Sequence, residues 1–144
     1  ERPRVMINTP YGDSWVMAST DSYVARLIRD AGGDYIYKEN TSRQSLPVSM
    51  EQAYQLTSSA DVWLNVGQTT SLAELLRLLP KFAGTRPVAT SQVWNTILRA
   101  TPSGANEYWE SAAIHPDLVL QDLILIFHPD LLPSAPFTYY KNLK

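Results

Sequence analysis

Short apolar runs alternate with amphipathic stretches along this chain. Val5-Met6-Ile7 is continuously apolar and stops at Asn8-Thr9-Pro10, the pattern of a buried strand closed by a turn. Ser14 to Ala18 predicts a second, shorter strand. Tyr23, Val24, Leu27, Ile28 and Ala31 then recur at helical spacing, with Thr20, Asp21 or Ser22 as N-cap. Gly32-Gly33 ends that helix, because glycine accepts the left-handed conformation of a C-cap at no steric cost. Tyr35-Ile36-Tyr37 predicts another strand, and a polar stretch from Lys38 to Pro47 separates it from a helix beginning at Ser49. Ser49 with Gln52, and later Ser71 with Glu74, have the spacing of capping boxes.

Asp61 to Val66 reads as a strand ended by Gly67, and Leu72, Leu75, Leu76 and Leu79 share one face of the helix that follows. Pro87 to Trp94 predicts a last strand. Asn106 to Ala113 and Pro116 to Phe127 predict two final helices, the second with Pro at its first position and Asp117 in its first turn. Strands thus alternate with helices almost throughout. That order predicts an α/β domain with a largely parallel sheet covered on both faces. No internal repeat or long linker divides residues 1–144, so a single domain is expected.

Charge and composition narrow the function. A net charge of −2 leaves no basic field for nucleic acid, whose phosphates require clustered Lys and Arg. With 44% apolar and 18% charged residues the chain belongs with globular rather than disordered sequences. It has no cysteine, which excludes disulfides, thiolate metal sites and cysteine nucleophiles. The start at Glu1-Arg2-Pro3-Arg4, without Met or a signal peptide, is read as that of a fragment or a processed product. Neither a GxxxxGK[ST] loop nor a GxGxxG turn after the first strand is present, and there is no GxSxG elbow. His115 and His128 each precede a proline at a predicted helix boundary, which favours a boundary role over metal ligation. Glu107 and Glu110 share a helical face near His115, a conceivable carboxylate–histidine group that falls short of the usual ligand number. No catalytic residues and no cofactor are assigned.

Ligands of parallel α/β sheets bind beyond the C-terminal ends of the strands. Here that edge collects residues 9–15, 65–70 and 95–106, with Tyr108 and Trp109 just beyond. Tyr11, Trp15, Asn65, Arg99, Asn106 and Trp109 are therefore the candidate ligand contacts, joining aromatic faces to amide and guanidinium donors. Each also has a bland role available: tryptophans in the core, asparagines in turns.

The sequence resembles the C-terminal lobe of the periplasmic binding proteins that serve siderophore, haem and cobalamin importers. The resemblance runs through Ser22-Tyr23 to Gly32-Gly33, Leu46-Pro47-Val48-Ser49-Met50-Glu51 and Ala60-Asp61-Val62-Trp63-Leu64-Asn65. Its closing stretch, from Asn106-Glu107-Tyr108-Trp109-Glu110-Ser111 through His115-Pro116-Asp117 to Phe127-His128-Pro129, is similar to a narrower group of iron-compound binding lipoproteins. The resemblance implies a three-layer α/β/α, Rossmann-like lobe of a class III binding protein, its N-terminal lobe absent. It also implies a non-catalytic substrate-binding component of an ABC importer, periplasmic or cell-envelope and lipid-anchored in the full-length protein. The implied partners are a metal chelate (iron-siderophore, haem or cobalamin), the protein's own N-terminal lobe and the ABC permease, against which Glu51 would dock. Two alternatives stand beside it: a chelatase-like metal-handling enzyme using His115, Glu107 and Glu110, and a partner-binding domain without a ligand.

Overall fold

A computed structural model describes residues 2–101, 106, 108–132 and 135–144, apart from the side chains of residues 109 and 110. Strands β1 (Arg4–Ile7), β3 (Asp34–Tyr35), β5 (Val62–Leu64), β6 (Val93–Asn95) and β7 (Lys141–Asn142) form one sheet in the order β3-β1-β5-β6-β7. All its pairings are parallel except β6 with β7. A separate antiparallel pair joins β2 (Trp15–Met17) to β4 (Leu46–Val48). The architecture is the mostly parallel α/β domain that the alternating pattern predicts.

Helix α1 (Tyr23–Asp30) connects β1 to β3 on one side, whereas α2 (Met50–Ser58) leads to β5 on the other side of β1. Because parallel crossovers are right-handed, reversing direction at β1 places α1 and α2 on opposite faces. The packing agrees. Helices α1 and α5 (Tyr108–Ile114) lie against α6 (Pro116–Phe127), while α2 meets α4 (Arg86–Ala89) and the 3₁₀ turn Pro80–Gly84. The core between these layers includes Val5, Met6, Ile7, Trp63, Leu64 and Leu75, all at most 1% exposed. Burying each such side chain contributes roughly 1.5–3 kcal/mol.

Local chemistry sets the helix ends. Ser22, Ser49 and Ser71 accept hydrogen bonds from Ala25, Gln52 and Glu74 amides at 3.2, 3.0 and 3.1 Å. The Glu74 carboxylate reaches back to the Thr70 amide at 2.8 Å, one residue before its cap. Gly32 ends α1 at φ +90°, and a Cβ there would stand 2.6 Å from His128 Nε2, which hydrogen-bonds Gly32 O at 2.9 Å. A side chain at this position would therefore push α1 away from the end of α6.

Three elements depart from the pattern-based reading. The run expected to be a strand from Pro87 first makes helix α4, with Pro87 near the helix start, and only Val93–Asn95 is strand. Proline's fixed φ suits a first helical turn and removes a donor that a central strand needs. Leu46-Pro47-Val48 pairs as strand although it belongs partly to the polar stretch. The tail supplies β7, closing the sheet beside β6.

Candidate functional site

The sheet changes winding direction between β1 and β5, and such a switch point opens a crevice at the strands' C-terminal ends. Two cavities of about 890 and 750 Å³ lie there, sharing Asn8, Asn65, Gly67 and Gln68 in their walls. Pro10, Tyr11, Val16 and Leu78 add apolar surface to the first. Tyr23, Leu27, Tyr108 and Val119 do so for the second. Together they form one cleft divided by a polar ridge.

That ridge has a simple origin. Strand register pairs Ile7 with Leu64 and Leu64 with Trp94, so the following residues, Asn8, Asn65 and Asn95, stand abreast. Asn8 and Asn65 turn the chain out of the sheet at φ +74° and +61°, a conformation asparagine tolerates better than other side-chain-bearing residues. Asn95 is fully committed: its Nδ2 donates to Gly67 O and Thr69 O at 2.9 Å each, and its Oδ1 accepts from the Thr96 amide. Asn8 and Asn65 are each half used. Asn8 Nδ2 donates to Val16 O at 2.9 Å, fastening the β2 hairpin to β1. Asn65 Oδ1 accepts from the Tyr140 hydroxyl at 2.6 Å. Burial holds the Tyr140 phenol well above its ordinary range, so the hydroxyl keeps its proton to donate.

A buried carboxylate fixes Tyr140 in place. Asp122, fully enclosed on α6, accepts the amides of Thr138, Tyr139 and Tyr140 at 2.9, 2.6 and 2.9 Å. Burial raises its carboxyl above the usual carboxylate range, against the lowering pull of those three donors. The tail is thereby stitched to α6 and laid along β6. Tyr139 and Tyr140 pack the C-terminus onto the domain, at 0% and 2% exposure.

The expected contacts fare unequally. Tyr11, 89% exposed, lines the first cavity, Asn65 lines both and Asn106 lines the second. Asn106 also works locally: its Nδ2 donates to Thr96 O, and its Oδ1 accepts from the Tyr108 amide at 3.0 Å. Trp15 is not on the rim. It is 1% exposed, at 6.2 Å from the Trp63 ring and 5.6 Å from Phe82, because strand alternation turns it inward and Val16 outward. Its indole Nε1 is buried without a partner among the described residues. Arg99 also stays out of both cavity walls, its Nε donating to Thr138 O at 3.0 Å and its guanidinium over the Tyr139 ring. The side chain of Trp109 lies outside the described residues.

Glu51 is exposed in the first turn of α2 and outside both cavity walls. Since α2 runs back to the start of β5, its N-terminus lies toward the cleft edge of the sheet. Of the residues suggested for metal, Glu107 and the Glu110 side chain lie outside the description, and His115 is exposed. Among the described residues no group of three His, Cys, Asp or Glu side chains converges, and no helix is long and apolar enough to cross a membrane. Asn8, Asp122 and the role of Tyr140 escaped sequence reading. For Asn8 a signal was present: three apolar runs, Met6-Ile7-Asn8, Trp63-Leu64-Asn65 and Val93-Trp94-Asn95, each end in asparagine.

No protein-family model matches the chain. An uncharacterized lipoprotein of Methanocaldococcus jannaschii is 26% identical over 131 residues, covering 89% of this chain and 30% of the relative. Among solved structures, a periplasmic solute binding protein of Veillonella parvula superposes at TM-score 0.64 and 15% identity, covering 93% of this chain and 39% of that one. A TroA-like periplasmic binding protein, FepB, of the same organism gives 0.64 at 14% identity, covering 100% and 49%. An ABC transporter substrate-binding protein of Listeria monocytogenes gives 0.55 at 15% identity, covering 90% and 48%. The chain has the fold of a lobe of these proteins and spans less than half their length.

Proposed function

We propose that this chain is the C-terminal lobe of a two-lobed substrate-binding protein, a non-catalytic component of an ABC importer. It binds an iron-siderophore or related metal chelate and delivers it to the permease. The observation that carries the reading is the open cleft at the β1/β5 switch point of a lobe-sized α/β unit. Its shape suits a ligand enclosed from above by a second lobe, and the partial coverage of the structural relatives supports a missing half. The lipoprotein relative and the periplasmic neighbours support a cell-envelope location with a lipid anchor. Asn65, Asn106 and Tyr11 contribute this lobe's share of the ligand contacts.

Glu51 is the permease-docking residue in this reading: a charge exposed at the cleft edge steers encounter while making no ligand contact. In the full-length protein, Glu51→Arg should abolish chelate uptake by cells and leave ligand affinity unchanged. Normal uptake by that variant removes the docking role. Native mass spectrometry of the full-length protein with haemin, cyanocobalamin and ferric siderophores tests the reading itself. Retention of no chelate at micromolar concentration would end it.

A further inference from the structure

Resting on the importer reading, the cleft's charge and hydrogen-bonding pattern narrow the ligand class. Among the described residues lining the two cavities, the only acid is Glu74 and the only base is Arg77. Glu74 and Arg77 both line the first cavity, one charge of each sign. The second cavity has no charged lining residue among those described. Its α5 and α6 walls come from a segment, Ala100 to Tyr140, that contains no Lys or Arg but has Glu107, Glu110, Asp117, Asp122 and Asp130.

A polyanion entering the second cavity would give up water without meeting a cationic side chain among the described lining residues, and enclosing an unpaired charge is costly. A neutral ligand meets a different surface. Asn8 has its Nδ2 spent on a carbonyl, which accepts only, so its Oδ1 is the end left over as an acceptor. Asn65 has its Oδ1 spent on the Tyr140 hydroxyl, so its Nδ2 is left as a donor. The two sit side by side across the β1/β5 junction, both lining both cavities.

We infer that the cleft selects an electroneutral metal chelate whose amide or hydroxamate groups meet the Asn8 acceptor and the Asn65 donor, and that it rejects polyanionic chelates. Tyr140 acts as a positioning residue, holding the Asn65 amide in its donor orientation from beneath.

Calorimetry on the full-length protein would compare ferrichrome, an electroneutral ferric trihydroxamate, with ferric enterobactin, a polyanionic tris-catecholate, and with haemin, which carries two propionates. Ferrichrome should bind at least about tenfold tighter than either, as expected when a buried charge lacks a partner. Asn65→Asp, isosteric and tolerant of the same backbone, should weaken ferrichrome at least about tenfold by exchanging the donor for a charged acceptor. Tyr140→Phe should weaken it less, about threefold, with circular dichroism confirming the fold in both variants. Tighter binding of enterobactin or haemin overturns the charge selection and leaves the importer reading standing. Unchanged ferrichrome affinity in Asn65→Asp overturns the assigned contact. Failure of all three chelates to bind overturns the importer reading and this inference with it.

Discussion

Trp63, on β5, and Asn65, just past its end, are two residues apart, yet they belong to regions with opposite physics. Around Trp63 the rings of Trp15 and Phe82 lie nearly parallel, and Tyr54 meets Phe82 edge-on at 5.4 Å. Shape and dispersion hold that layer together, and its one orphaned polar atom, Trp15 Nε1, is tolerated there. Asn65 and Asn8 are held by directed hydrogen bonds, and both line the open cavities. The two regions are joined through Asn8, whose O accepts from Trp63 Nε1 at 2.9 Å and whose Nδ2 donates to Val16 O beside Trp15. If recognition lies in the second region, as proposed, substitutions should separate it from the stability held by the first.

The largest effect is expected at Phe82, 1% exposed and in contact with three aromatic rings. Phe82→Ala should cost about 3–5 kcal/mol in chemical denaturation. The order of preference among chelates should survive, and a changed order would mean that the aromatic layer also shapes recognition. Asp122 tests the reverse link, since its clasp serves both fold and cleft. Asp122→Asn should cost about 1–3 kcal/mol, because an amide cannot accept three backbone donors as a carboxylate does. Its pH dependence has a defined sign. A carboxyl raised on folding above its unfolded 3.8 contributes stability at lower pH, and that contribution fades as pH climbs through the folded value. The wild-type margin over Asp122→Asn should therefore narrow as pH rises above about 4, and a widening margin contradicts it. Trp15→Phe should have the smallest effect, about 1 kcal/mol or less, since losing a little volume also removes an unsatisfied N–H. Chelate affinity should not change; a large loss would return Trp15 to the ligand surface.

Much of the frame was legible before any coordinates. Helix α6 begins and ends where Pro116 and the apolar run to Phe127 place it, and the serine caps of α2 and α3 (Leu72–Leu78) fall at Ser49 and Ser71. These features are written in residues a few positions apart. The elements that were misread depend on distant partners. Lys141–Asn142 has no strand pattern and becomes one because Asp122, about twenty residues earlier, presents the tail to β6. Trp15 and Arg99 were placed at the rim by position along the chain, but the first is claimed by Phe82 and the second by the tail. Asn65 was legible as a rim residue; its orientation was not, because Tyr140, which sets it, is 75 residues away.

Both borders of the main sheet are formed by strands of only two residues, Asp34–Tyr35 on one side and Lys141–Asn142 on the other. A border that short, bearing Asp34 at one end and Lys141 at the other, gives an incoming strand almost nothing to zip onto. The interior strands are thus fenced off from pairing with neighbouring molecules in crowded surroundings.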